Sequence, residues 1–500
     1  MPFYALIVSV INVLLYNIPL LKFVYTNIEE YTINGLLLII SFVITAIIVN
    51  LFVFYIGLYL FRNVGKWLLV IFFNLNALCI YFINNYGVLI DRTMIGNILN
   101  TDYDEATGFF SFSLILYVII LGILPSILIY RIEYQRVRLK PFLIHNSLIL
   151  IFLLSLSYLN APNWLWIDKN SKQLGSLAMP WSYVVNTVRF YHKEYKQNQI
   201  QQLLPDAKIT NNQKSVVVLV IGESARSANF SLYGYHKNTN PLLSEIKDLH
   251  VYKAQSAATY TTAGIKAILD YKESSDLNEI LPNYLYRNGV EVIWRSTNWG
   301  EPTVAIKNYT DKQDLQNLCK GAECGYDEVL LQDLKELILK SNKNKILIVL
   351  HTSTSHGPSY FKKYPTKFEK FTPVCKSVEL SKCTNQELIN AYDNTIVYTD
   401  YLIAKVIENL KQVTEFNSTM IFVSDHGESL GENNLYLHGI PISIAPKEQF
   451  EIPFIVWTSN NSLTFKNQES VTQYNVFHSV LDFLDVESPI YNENMSLIVK

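Results

Sequence analysis

Six side chains of ligand or acid–base type stand where short apolar runs stop. Glu223 closes "SVVVLVIGES" (215–224), and His351 and His356 lie in "LHTSTSHGPSY". Asp425 and His426 close "TMIFVSDHG" (419–427), and His438 follows in "YLHG". Taken singly, each is ordinary. A strand-end Glu is usually a cap or solvated, and an isolated Asp-His pair is most often a hydrogen-bonded turn. Five or six of them gathered at one edge demand more. Carboxylate oxygen with imidazole nitrogen suits zinc, with manganese as second choice. A nucleophile is available in "SAATYTTAGIKAIL" (256–269), a hydroxyl-rich turn leading into an apolar helix. Thr261 and Thr262 stand at its start, where free N–H groups stabilise an anion such as phosphate. Read alone, the stretch is a plain threonine N-cap.

The elements that must position these groups are short and β-branched: 215–224, 290–297, 345–353, 419–427 and 453–459. Helical patterns such as "DEVLLQDLKELILKS" and "NQELINAYDNTIVYTDYLIAKVIENLK" separate them. Continuous apolar strands alternating with helices predict a mainly parallel sheet covered on both faces. Such sheets hold ligands beyond the carboxyl ends of their strands, which is where the six side chains fall.

Upstream the chain changes character. Residues 1–160 hold five apolar stretches, near 4–26, 34–61, 67–86, 109–130 and 141–159. Most approach the ~20 residues that span a bilayer as helix. The first is too long for a signal-peptide core and has no small-residue cleavage site, so it is read as one uncleaved helix. The basic loops "RNVGK" (62–66) and "RIEYQRVRLK" (131–140) face the cytoplasm by the positive-inside rule. Everything after residue 160 is then outside. Residues 161–210 form a bridge, in which "SLAMPWSYVVNTVRFY" (176–191) has the pattern of a helix lying on a membrane surface. The expected organisation is a transmembrane domain of five helices (1–160), an interfacial bridge and linker (161–210), and a catalytic domain (211–500).

An outside location is oxidising, so the close pairs Cys319/Cys324 and Cys375/Cys383 are expected as local disulfides. Only 17% of residues are charged and the formal net charge is -2, which offers nothing to nucleic acid. Few charges fall inside the spans, which argues against an ion pathway or transporter.

With these residues in place, the chain resembles the membrane-bound phosphoethanolamine transferases that modify lipid A, including the colistin-resistance enzymes, in the alkaline phosphatase/sulfatase superfamily. The resemblance runs through "VIGESARSANFSLYGYHKNTNP" (220–241), "YDEVLL" (326–331), "HTSTSHGPSYFKKYP" (351–365), "YDNTIVYTD" (392–400), "SDHGESLGE" (424–432) and "YLHG" (436–439). It implies a catalytic domain of alkaline phosphatase/sulfatase type in the periplasm, tethered to the bacterial inner membrane. It implies one or two zinc ions, with Glu223, Asp425, His426 and the nucleophile Thr261 as ligands of the first. His356 and His438 match histidines near the phosphoryl and leaving groups, and His351 is placed near them. "MIGNILNTDYDEA" (94–106) resembles a segment whose Asn97, Thr101 and Glu105 would line the donor headgroup pocket. Their spacing would set all three on one helical face. Asn298, in "WRSTN", is the nearest match to an acceptor-contacting position. The sequence also departs from the family. Ala257 replaces a cysteine of S-C-G-T-x-T, and Lys266 lies where its disulfide partner would be, so the nucleophile loop lacks one covalent link.

The expected reaction moves phosphoethanolamine from phosphatidylethanolamine, through a covalent threonine intermediate, to lipid A or a related surface glycan. A phosphoglycerol transferase of lipoteichoic type shares the spans and ligands. A catalytically inactive membrane scaffold is the non-enzyme alternative, although Glu223, Thr261, Asp425 and His426 are all retained. No C-x-P-x-R-like sequence supports a sulfatase.

Overall fold

The computed structural model describes residues 1–28, 33–101, 103–160, 163–197, 201–319, 321–468 and 470–499. The chain forms two compact units: residues 1–101 with 110–193, and residues 102–109 with 194–500.

The first unit is helical. α1 (Pro2–Tyr16) and α2 (Ile18–Thr26) meet at a 61° bend, followed by α3 (Ile33–Phe61), α4 (Asn63–Tyr86), α5 (Arg92–Asn100), α6 (Phe112–Arg131), α7 (Leu139–Leu159) and α8 (Trp181–Gln197). Among the described residues, four helices are long and apolar enough to cross a membrane, or five if the bent pair counts as one span. The expectation of one continuous first helix is therefore corrected. Pro19 stands in the first turn of α2, where it has no N–H to continue the ladder from α1. Large apolar side chains such as Leu148, Leu154 and Ile120 are exposed on these helices, as befits segments solvated by lipid. Between helices the glue is polar: Asn76 Nδ2 donates to Asn12 Oδ1 at 2.8 Å, and Ser41 Oγ to Asn160 Oδ1 at 2.9 Å.

The second unit is built on an eight-stranded sheet: β1 (Ser215–Gly222), β2 (Leu249–Gln255), β3 (Glu291–Ser296), β4 (Asn308–Thr310), β5 (Lys345–His351), β6 (Asn417–Ser424), β7 (Glu451–Thr458) and β8 (Val471–Thr472), in the order β8-β2-β7-β6-β1-β5-β3-β4. The pairings β6–β1, β1–β5, β5–β3, β3–β4 and β8–β2 are parallel, while β7 runs antiparallel to both its neighbours. The 453–459 run is thus a strand of the sheet, but in the opposite sense to its apolar fellows. All residues of β1 and β5 are buried, which is why they read as unbroken apolar runs. Each fully buried Val or Ile contributes about 1.5–3 kcal/mol. β2 alternates between exposed and buried at its end and β4 has three residues, so neither carries that signature.

Three helices matter for the site. α9 (Thr261–Leu269) and α11 (Asn475–Phe483) share one core cluster, in which Ile265 and Ile268 join Val476, Phe477 and Val480. α10 (Asn385–Lys411) starts at a capping box between Thr384 and Glu387 and packs on β6 and β1. Both expected disulfides are formed, Cys319–Cys324 and Cys375–Cys383, each with Cα atoms 5.7 Å apart.

Candidate active site

Strand register brings the acids together. β1 and β6 are parallel neighbours with Gly222 opposite Ser424, so the next residues, Glu223 and Asp425, emerge side by side. Ser224 then turns sharply at φ 52°, a conformation that costs a non-glycine residue about 1–3 kcal/mol and recurs at functional sites. Its N–H donates to Asp425 Oδ1 at 3.0 Å and its hydroxyl to Glu223 Oε1 at 2.7 Å. The turn therefore orients both carboxylates at once.

The first turn of α9 lies directly on this edge. A Cβ at Gly264 would fall 2.1 Å from the Asp425 carbonyl oxygen, an approach only glycine permits. Thr261 is carried in with it. Its Oγ1 lies 3.2 Å from His426 Nε2 and 3.4 Å from Glu223 Oε2. Thr262 is only partly buried, and the hydroxyl held against Glu223 and His426 is that of Thr261. The loop before Thr261 lacks a disulfide, and Lys266 pairs instead with Asp270. That loop is held by hydrogen bonds to the His438 segment: Thr259 Oγ1 donates to the Ile440 carbonyl at 2.6 Å, and Gly439 N–H to the Thr259 carbonyl at 2.7 Å.

The donor set fits a metal ion. Ligand atoms of Glu223, Asp425 and His426 all lie within 4.8 Å of one another and are buried. His426 Nδ1 is 2.8 Å from the Gly427 carbonyl, a contact that requires its proton there and leaves Nε2 bare. That nitrogen faces Asp425 Oδ2 at 3.3 Å and Glu223 Oε1 at 3.4 Å. Among the described residues, none donates a hydrogen bond to the buried Asp425 Oδ2. Among the described residues no lysine or arginine pairs with either acid. A buried group of oxygens and one bare nitrogen with no cation is costly, and a divalent ion resolves it. Carboxylates with imidazole, the latter fixed by a backbone carbonyl, are the chemistry of a zinc site.

Electrostatics agree. Burial disfavours a charged Glu223, yet the imidazoles of His426, His356 and His438 and the Ser224 hydroxyl hold it well below the usual carboxylate range. Burial and the neighbouring Glu223 push Asp425 well above that range. Burial, with His438 nearby, lowers His426 to about 4, so it is neutral and able to ligate at neutral pH.

A second group of side chains borders the cluster. The His438 ring lies 4.3 Å from that of His426 and 5.2 Å from that of His356. His438 Nδ1 is 3.3 Å from Glu428 Oε1. Glu428 is fully buried, and burial raises it to about 8. A cavity of about 220 Å³ opens beside His356, lined by Thr297, Trp299, Lys312 and Lys362 among others.

Other expected residues lie elsewhere or act differently. His351 ends β5 with its ring fully buried against Trp294; Nδ1 is 3.0 Å from Ser296 Oγ and 3.6 Å from Glu301 Oε2. Its contacts are with the β3 edge, not with the cluster. Asn298 gives both amide protons away, to Glu223 Oε2 at 2.7 Å and the Thr352 carbonyl at 2.9 Å, so its amide nitrogen orients the glutamate. The single helical face proposed for Asn97, Thr101 and Glu105 is not formed. α5 ends at Asn100, Thr101 is extended with its hydroxyl on the Asn97 carbonyl at 2.7 Å, and a new helix begins at Tyr103. The Thr101 hydroxyl bonds back to the Asn97 carbonyl, the kind of short polar side-chain bond that competes with the helix ladder. The Glu105 side chain lies outside the described residues.

Two contributors went unrecognised. Glu428 is inside "SDHGES", where a third carboxyl after the Asp-His pair was a usable signal. Asp327, in "YDEVLL", accepts from Thr297 Oγ1 (2.5 Å), Ser353 N–H (2.8 Å) and the Thr354 hydroxyl. It ties together the loops after β3 and β5, a role that no local pattern announces.

Comparison with known proteins places the chain. A family model described as Sulfatase matches residues 215–486, and one described as Phosphoethanolamine transferase EptA/EptB matches residues 47–195. Phosphoethanolamine transferase EptA of Helicobacter pylori is 39% identical over 99% of this chain and 96% of its own. Phosphatidylethanolamine transferase Mcr-1 of Escherichia coli is 32% identical over 80% of each. The solved integral membrane protein lipooligosaccharide phosphoethanolamine transferase A from Neisseria meningitidis superposes with TM-score 0.89 at 26% identity, covering 99% of this chain and 98% of that one. With a multi-pass helical unit and a sulfatase-type catalytic unit in one chain, matched over nearly its whole length by the Helicobacter pylori and Neisseria meningitidis proteins, the protein belongs to the EptA-type phosphoethanolamine transferases of the alkaline phosphatase/sulfatase superfamily.

Proposed function

We propose that this enzyme transfers phosphoethanolamine from phosphatidylethanolamine to lipid A or a related surface glycan, in two displacements on Thr261. The observation that carries the reading is the hydroxyl of Thr261 held against His426 Nε2 and Glu223 in a buried cluster of potential metal ligands. Relatives bearing this architecture are named for phosphoethanolamine transfer, one of them Kdo(2)-lipid A phosphoethanolamine 7''-transferase of Escherichia coli.

Glu223, Asp425, His426 and Thr261 would hold zinc, and a zinc ion there favours the threonine alkoxide and offsets charge on the phosphoryl oxygens. Thr261 Oγ1 attacks the donor phosphorus, forming a phosphoethanolamine–threonine ester and breaking the bond to diacylglycerol. His356 or His438 gives the departing oxygen its proton. A phosphate or hydroxyl oxygen of the acceptor then attacks the same phosphorus and frees Thr261. Asn298 and Ser224 keep Glu223 in place throughout. His356 and His438 are also the remaining imidazoles for a second zinc, and metal analysis counts the ions.

Domains at 1–160, 161–210 and 211–500 follow from this reading. The basic loops 62–66 and 131–140 support a catalytic domain on the periplasmic side of a bacterial inner membrane, where both lipid substrates would be met. Lipid A extracted from cells with and without the protein tests the function. A mass increase of one phosphoethanolamine is expected, and identical spectra would contradict it.

A further inference from the structure

Gln473 lies in the turn between β8 and α11, fully buried. Its Nε2 donates to the carbonyl oxygens of Ser424 (3.0 Å) and Asp425 (2.6 Å), and its Oε1 accepts from the Ala257 N–H at 2.9 Å. Both protons and the carbonyl of the amide are therefore engaged. Ser424 ends β6 and Asp425 follows it, so this strand delivers Asp425 and His426. Ala257 lies in the loop that delivers Thr261.

The sheet alone does not make this connection. In its order, β2 and β7 stand between β8 and β6, and the Thr261 loop leaves from β2, which is not a neighbour of β6. One side chain at the end of β8 thus reaches across two strand ends and binds both halves of the site. The bond on the loop side falls at the residue where the covalent link is missing. Gly264 makes the same juncture tight, since α9 already touches the Asp425 peptide.

We infer that Gln473 is a positioning residue. It sets the approach of the Thr261 loop to the β6 end, and with it the 3.2 Å contact of Thr261 Oγ1 with His426 Nε2. The inference rests on the roles proposed above for Thr261 and the ligand cluster.

A matched residue separates positioning from mere packing. Asn475, in the same segment and buried, accepts from the Thr472 N–H and hydroxyl at 2.8 and 3.1 Å and donates to the Met495 carbonyl at 2.8 Å. These three bonds touch neither the Thr261 loop nor β6. The test compares Gln473→Leu, the isosteric Gln473→Glu and Asn475→Leu with the parent in the full-length protein in detergent. Turnover, thermal midpoint and zinc affinity are measured, the last by titration with zinc alone. Both Gln473 variants should lower kcat about tenfold to hundredfold with KM for phosphatidylethanolamine little changed, and weaken zinc binding by about tenfold. Asn475→Leu should lower the midpoint while keeping kcat per folded molecule and zinc affinity near the parent values. If Gln473 variants behave like Asn475→Leu in kcat and zinc affinity, the inference is overturned. A parent that transfers no phosphoethanolamine sinks the proposed function instead, and the zinc titrations still decide the role of Gln473.

Discussion

The hydroxyl of Thr261 lies 3.2 Å from Nε2 of His426. His426 keeps its proton on Nδ1, toward the Gly427 carbonyl, so the threonine hydroxyl is the donor of this pair. The oxygen proposed as nucleophile is thus aimed into the ligand cluster by its own hydrogen bond.

Thr261→Ala should lower transfer at least about 1000-fold, as loss of a nucleophile does, while Thr262→Ala keeps activity within about tenfold, because the contacts with Glu223 and His426 are made by the Thr261 hydroxyl. Steady-state transfer assays on both variants check this. Equal losses at the two positions would remove the basis for choosing Thr261.

Removing the metal should unfold the second unit more easily. At zinc concentrations 100 times Kd, binding to the folded state is worth about 2.7 kcal/mol. Chelation should therefore lower the thermal midpoint of the parent. Asp425→Asn and His426→Ala should bind little zinc by elemental analysis and show no midpoint change with chelator.

Gly264→Ala places a methyl group 2.1 Å from the Asp425 carbonyl oxygen. Relief needs a shift of α9 or of the β6 end, costing about 1–3 kcal/mol. A lowered midpoint together with reduced transfer is expected. A fully active, equally stable variant would show that the contact is not close.

Asp400 supplies a pH dependence away from the metal cluster. Burial raises it to about 7, against the pull of the Leu242 and Leu243 N–H groups. Its unfolded value is about 3.9. Between these values the folded chain holds a proton the unfolded chain has lost, so stability falls as pH rises through that window, by at most about 4 kcal/mol, and levels off above it. Asp400→Asn has no such proton. The midpoint of Asp400→Asn relative to the parent should therefore rise from pH 5 to pH 8. A constant difference would mean that Asp400 is ionised throughout.

The strands that deliver Glu223 and Asp425 were legible because both faces of β1 and β6 are buried, leaving apolar runs that stop at polar residues. Their side-by-side placement depends on register, which no single run contains. β2 was missed because its exposed positions break the apolar pattern, and the bend before Pro19 because the run continues through it. His351 and His356 stand five residues apart in one motif, but one ends a strand and turns toward β3 while the other lies in the loop beyond. Asn298 was found, yet its role was not, since an amide that orients a glutamate and one that meets substrate look alike in sequence. The spacing at 94–106 suits one helix, and only the Thr101 backbone reveals the break.

The proposed reaction passes through a covalent phosphoethanolamine on Thr261. Full-length protein loaded with zinc and incubated with phosphatidylethanolamine, without acceptor, should be digested and sequenced by tandem mass spectrometry. One added phosphoethanolamine is expected on the peptide containing Thr261, located to that residue and absent from Thr261→Ala. An unmodified Thr261 in a preparation that transfers at its full rate would contradict it.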